Sequence, residues 1–178
     1  MTPLQTLFEE RAAFHGHKDM LPHMHQVKQL AASCRTATEF GIRTGQSTIA
    51  IAAGLEAGGG GELTSYDRDD PQFEFPASAT VKWQWHRADT AKLDLIEPTD
   101  LLFIDTLHNS AQVEAELKHA PMVRRYIALH DAYKFAQDGE SGEGIVKAIF
   151  EFLADNPDWC VLQYYHSQWG LLVLSRTS

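Results

Sequence analysis

Acidic side chains recur in this sequence at the ends of short apolar runs, and two histidines lie among them. Glu39 is the penultimate residue of "TATEF", Asp67 ends "ELTSYD", Asp105 ends "DLLFID", and the pair His130–Asp131 ends "YIALHD"; Asp89 lies two residues beyond "TVKWQWHR". One polar residue at the end of a strand is commonplace, but five such places in register call for a ligand. His108 stands just beyond Asp105. Unperturbed histidine titrates near ~6.5, so His108 and His130 are the candidates for taking a proton at neutral pH.

The stretch "TEFGIRTGQST" shows which kind of ligand. Gly41 and Gly45 bracket a turn from strand to helix, and without a Cβ they let the backbone approach a ligand closely. Ser47 and Thr48 begin the helix, whose amide-rich N-terminus favours an anionic group such as a carboxylate. A dinucleotide turn wants G-x-G-x-x-G, whereas this one reads G-x-x-x-G. With Glu39 two residues ahead of the first glycine, the wider spacing suits a ligand bearing both a cation and a ribose. A purely structural turn is the competing reading of the glycine pair alone.

Positioning these residues takes an alternating chain. "LQTLFEERAAFH" and "MHQVKQLAAS" read as helices separated by Pro22. Strand and helix then alternate: "TATEF", "STIAIAAGLEAG", "ELTSYD", "TVKWQWHR", "DLLFID", "SAQVEAELKHA", "YIALHD" and "GIVKAIFEFLADN". Nearly all-apolar runs such as "DLLFID" fit strands buried on both faces of a parallel sheet. The last two runs, "WCVLQYY" and "WGLLVLSR", are joined by so short a link that they must pair antiparallel. The expectation is an α/β fold: a doubly wound, mostly parallel seven-stranded sheet with helices on both faces and a C-terminal antiparallel hairpin. It forms a single domain over 1–178, with 1–33 a short helical N-terminal cap. In such sheets ligands bind beyond the carboxyl ends of the strands, where the acids are.

Composition narrows the classes. The chain has 178 residues, 44% hydrophobic and 22% charged, and a formal net charge of −9, which disfavours a nucleic-acid binder. No run approaches the length of a membrane span, and the N-terminus has no basic-then-apolar leader, so a cytoplasmic protein is expected. Cys34 and Cys160 form no CxxC pair and read as small core residues. His15, His17, His23 and His25 invite a metal reading, but residues two apart do not share a helix face, and a flap over the cleft is the plainer expectation.

On "EFGIRTGQS", "SYD", "RADT" and "LLFIDTLH", the chain resembles the class I S-adenosylmethionine-dependent methyltransferases. "FIDTLHNSAQVEAEL" followed by "YIALHD" is similar to the branch with cephalosporin-hydroxylase-like enzymes and sugar or macrolide O-methyltransferases. The resemblance spans about Thr36 to Arg176. It implies an S-adenosylmethionine cofactor and a small-molecule acceptor, with a hydroxyl expected. Gly41 and Gly45 would pass under the methionine part, with Glu39 ordering the turn and Ser47, at the start of the helix, among the cofactor-binding residues. Asp67 would hold the ribose, Asp89 would lie near the adenine amine, and Asp105 would face the sulfonium or a metal. In metal-dependent relatives the corresponding ligands are Asp105, His130 and Asp131. Magnesium prefers oxygen donors, so an imidazole among them tilts the site toward manganese, iron or zinc, and metal use is left open. A thin cap leaves room for a second copy to complete the cleft. Two rival readings are a non-catalytic domain kept for association and a nicotinamide-dependent oxidoreductase. The second is disfavoured by the glycine spacing and the lack of a Tyr-x-x-x-Lys pair.

Overall fold

The computed structural model describes residues 1–13 and 20–177. His15 and His17 lie outside them. Seven strands form one sheet: β1 Thr36–Phe40, β2 Gly61–Asp67, β3 Val81–Arg87, β4 Thr99–Ile104, β5 Val123–His130, β6 Trp159–Tyr165 and β7 Leu171–Arg176. Their spatial order is β3-β2-β1-β4-β5-β7-β6. The first five are parallel, while β7 runs antiparallel between β5 and β6. Order reverses at β1, so β1 and β4 flank the switch point at which such sheets bind ligands.

Two-residue periodicity divides the core. On β4, Leu101 and Phe103 face one buried cluster while Leu102 and Ile104 face the other. The first cluster takes in α1 Pro3–Ala12, α2 Met24–Ala31 and α3 Gln46–Ala57, and the second takes in α4 Ser110–Leu117 and α5 Ile145–Asp155. Helix α3 is apolar on nearly all sides, because the sheet covers one side and α1 and α2 cover the other. Small residues make that sandwich possible. A Cβ on Gly54 would lie 2.3 Å from the carbonyl oxygen of Lys28.

The N-terminal helices are thus a second layer over α3. His23, expected in a flap, is fully buried, and its Nε2 lies 3.1 Å from the carbonyl oxygen of Ser167. Cys34 is in the core as expected, but Cys160 is exposed, because β6 is the edge strand and most of its residues face solvent. Among the described residues no helix is long and apolar enough to cross a membrane.

Candidate active site

The chain leaves β1 through Gly41, whose φ of 88° is left-handed. Its amide donates to the carbonyl of Tyr66 at 2.9 Å, and a Cβ there would lie 1.9 Å from the carbonyl oxygen of Asp105. Glycine is therefore required: the turn rests directly on the end of β4. Arg43 also has a positive φ, 48°, and Gly45, at 73°, caps α3 beneath the ring of Phe73.

Under this turn Glu39 is fully buried. Ser47 and Ser65 each donate to it at 2.6 Å, and Thr48 donates at 2.9 and 3.1 Å. Trp83 Nε1 donates in turn to Ser65 at 3.0 Å. Burial pushes the Glu39 carboxyl up to about 7, against the pull of these hydroxyls. Glu39, Gly45 and Ser47 stand behind the turn and do not line the cavity in front of it. The hydroxyl of Ser47 is spent inward, on Glu39.

That cavity, of about 370 Å³, opens at the carboxyl ends of β1 to β4. Gly41, Asp67, Asp89 and Asp105 all line it, so acids separated by long stretches of sequence meet on one rim. Asp67 Oδ2 accepts from the amides of Ile42 and Arg43 at 2.6 and 3.2 Å, and Oδ1 accepts from Asp69 at 3.0 Å. It therefore clamps the glycine turn and retains lone pairs for a ligand hydroxyl. Asp89 caps a short helical turn at Thr90–Lys92 and pairs with Lys92 at 2.9 Å, which lowers its pKa.

At the Asp105 end is a compact carboxylate–imidazole cluster. His108 Nε2 lies 3.2 Å from Asp105 Oδ1 and 3.1 Å from Asp131 Oδ2, while its Nδ1 lies 3.3 Å from Glu140 Oε1. The imidazole stacks on Phe135 at 4.7 Å. His130 sits behind, only 2% exposed, with Nδ1 2.9 Å from Asp131 Oδ1 and 3.5 Å from Asp105 Oδ1. Burial disfavours a charged His130, yet the two aspartates outweigh it and push its pKa up to about 10. Burial likewise acts to raise Asp105, but His130 and His108 hold it well below the usual carboxylate range. Desolvation opposes charge on His108 too, and hydrogen bonding to Asp105 overcomes it, so its pKa is raised. Asp131 carries a positive φ of 59°, which turns its carboxylate back toward the cluster.

Among the described residues, Asp105, His108 and Asp131 present ligand atoms within 4.8 Å of one another. The resemblance to metal-dependent relatives implied His130 in that set and left His108 outside it. Two further features were not anticipated. Glu140, from the loop before α5, lines the cavity next to Leu107. Glu116, on α4, is fully buried and accepts from Thr90 at 2.5 Å, Thr106 at 2.8 Å and Gln112 at 2.8 Å. Burial raises its pKa. A signal for Glu116 was present, since it occupies a core-facing position of α4 beside Val113 and Leu117.

The fold is shared with solved methyltransferases. An O-methyltransferase from Bacillus cereus, solved with S-adenosylhomocysteine, aligns at a TM-score of 0.60 and 17% identity, covering 97% of this chain and 90% of that one. The O-methyltransferase TomG from Streptomyces achromogenes, solved with S-adenosylmethionine, aligns at 0.61 and 14%, covering 100% and 91%. The N-methyltransferase NodS from Bradyrhizobium japonicum aligns at 0.60 and 15%, covering 88% and 96%. The fold alone thus does not select oxygen or nitrogen as the acceptor atom. No curated protein matches the chain in sequence. A family model described as a methyltransferase domain matches residues 38–131, from the middle of β1 through the aspartate that follows β5. This bears out the resemblance drawn from the motifs, and the chain belongs to the methyltransferase-domain family, of the class I S-adenosylmethionine-dependent kind.

Proposed function

We propose that this protein methylates a hydroxyl group of a small molecule or sugar, with a divalent cation held by Asp105, His108 and Asp131. The observation that carries this reading is one continuous site. Gly41, Asp67 and Asp89 line a cavity sized for a nucleoside, and the same cavity ends at Asp105, where the cluster begins.

Methyl transfer is an in-line displacement at a sulfonium carbon, so alignment of donor and acceptor is the main task. Gly41, pressed against Asp105, fixes the distance between the cofactor turn and the acceptor end. Asp67 holds the turn closed and offers its remaining lone pairs to the ribose. Two carboxylates and one imidazole form a donor set that suits manganese, iron or zinc better than magnesium. When bound, such a cation supplies Lewis acidity that lowers the pKa of an acceptor hydroxyl. Glu140 Oε1, 3.3 Å from His108 Nδ1, favours a proton on that nitrogen and so would leave the Nε2 lone pair for a cation between Asp105 and Asp131. His108 Nε2 cannot hold a cation and take a proton at the same time, and we assign it to the cation. His130, which holds its own proton near neutrality, balances the two aspartates and is not the base.

Calorimetric titration with S-adenosylhomocysteine and, separately, with NAD tests the cofactor. Selective NAD binding rejects the reading. Repeating the titration and a turnover assay with manganese and then with a chelator tests the cation. The metal assignment is lost if neither changes affinity or rate.

A further inference from the structure

Gln112 lines the same cavity next to Thr90, the residue after Asp89. Its amide is anchored at one end. Nε2 lies 2.8 Å from Glu116 Oε1 and 3.0 Å from Thr90 Oγ1. Glu116 in turn receives the hydroxyls of Thr90 and Thr106, so three of the residues lining the wall are tied to one buried carboxylate. An acceptor-only carboxylate faces the amide nitrogen, because the flipped amide would set carbonyl oxygen against carboxylate. Among the described residues no hydrogen bond is made to Gln112 Oε1.

We infer that Gln112 is a specificity residue. Glu116 and Thr90 hold its nitrogen inward, so its carbonyl oxygen is the atom offered to the cavity, where it accepts from an amino group on the bound purine. This rests on the cofactor reading above and deepens it. The chain then distinguishes a 6-aminopurine from a 6-oxopurine at this wall, because an oxo group would place one acceptor against another. Glu116 is a positioning residue: it touches no ligand and acts by denying Gln112 the flipped orientation.

The test compares S-adenosylhomocysteine with S-inosylhomocysteine by calorimetry on the whole protein. The unaltered chain is expected to prefer the amino compound by about tenfold or more. Gln112→Met keeps length and bulk but loses the acceptor, and should narrow that ratio to within about threefold. Gln112→Ala adds no bulk and must narrow it in the same way. A merely structural role would weaken both ligands together and leave the ratio intact. Equal binding by the unaltered chain, or an unchanged ratio in both variants, overturns the inference and leaves the cofactor reading standing. Failure of the unaltered chain to bind either ligand overturns both.

Discussion

Nε2 of His108 lies 3.1 Å from Oδ2 of Asp131, joining the loop after β4 to the residue that follows β5. Neither residue reaches the other through local chain geometry. They meet because β4 and β5 are adjacent and parallel, so their carboxyl ends emerge side by side. The left-handed backbone at Asp131 completes the approach.

Replacing Asp131 with Asn should therefore abolish a metal response and leave cofactor binding in place. The unaltered protein is expected to gain thermal stability on adding manganese, by mass action on the folded state. Asp131→Asn should show no gain, and its turnover should fall by about 100-fold or more. Differential scanning calorimetry with and without manganese, beside a turnover assay, reads both quantities. A variant that still responds to manganese places the cation elsewhere.

Asp67 serves two partners, the glycine turn and the cavity. Asp67→Ala should weaken S-adenosylhomocysteine binding by about 10–100-fold, since it removes charge-assisted bonds to the Ile42 and Arg43 amides along with the ligand contact. Asp67→Asn keeps one acceptor oxygen and should lose less. Calorimetric dissociation constants for the two variants check the order; a silent Asp67→Ala favours the association-domain reading.

Gly41→Ala should be costly in both sites at once. The new Cβ would overlap the Asp105 carbonyl, and the positive φ is unfavourable for alanine. A loss of about 3 kcal/mol or more in unfolding free energy is expected, with weaker cofactor and metal binding together. Denaturant unfolding and the two titrations measure it. Retention of either binding at full strength means that the turn and Asp105 are not mechanically joined.

Glu39 should leave a signature in stability against pH. Its folded pKa, about 7, lies above its ordinary 4.5, so the folded state binds the proton more tightly than the unfolded chain does. The stabilisation is fully present below the unfolded value and is lost as pH rises through the folded one, at most about 3 kcal/mol in all. Glu39→Gln cannot titrate and should flatten that part of the profile, gaining on the unaltered protein between pH 5 and pH 8. Chemical unfolding of both proteins at the two pH values gives the difference. A constant gap between them shows that Glu39 stays ionised throughout.

The sequence by itself determined the wound sheet, the reversed last strand and the acids at the strand ends. Those follow from two-residue and 3.6-residue periodicity, from glycine spacing and from a link too short for a crossover, all of which are local. It also determined that Asp67, Asp89 and Asp105 would share a rim, because parallel strands end together. Which way a side chain turns after leaving its strand was decided only by the tertiary structure. His130, still on β5, points into the buried layer, while His108, in the loop beyond β4, swings back over Asp105. Ser47 and Glu39 turned away from the cavity for the same reason: burial under α3 and the sheet gave their polar atoms to each other. Glu116 and Gln112 sit on one helix face, but their partners Thr90 and Thr106 come from two other segments. Contacts of that kind depend on packing between elements, and no spacing along the chain encodes them.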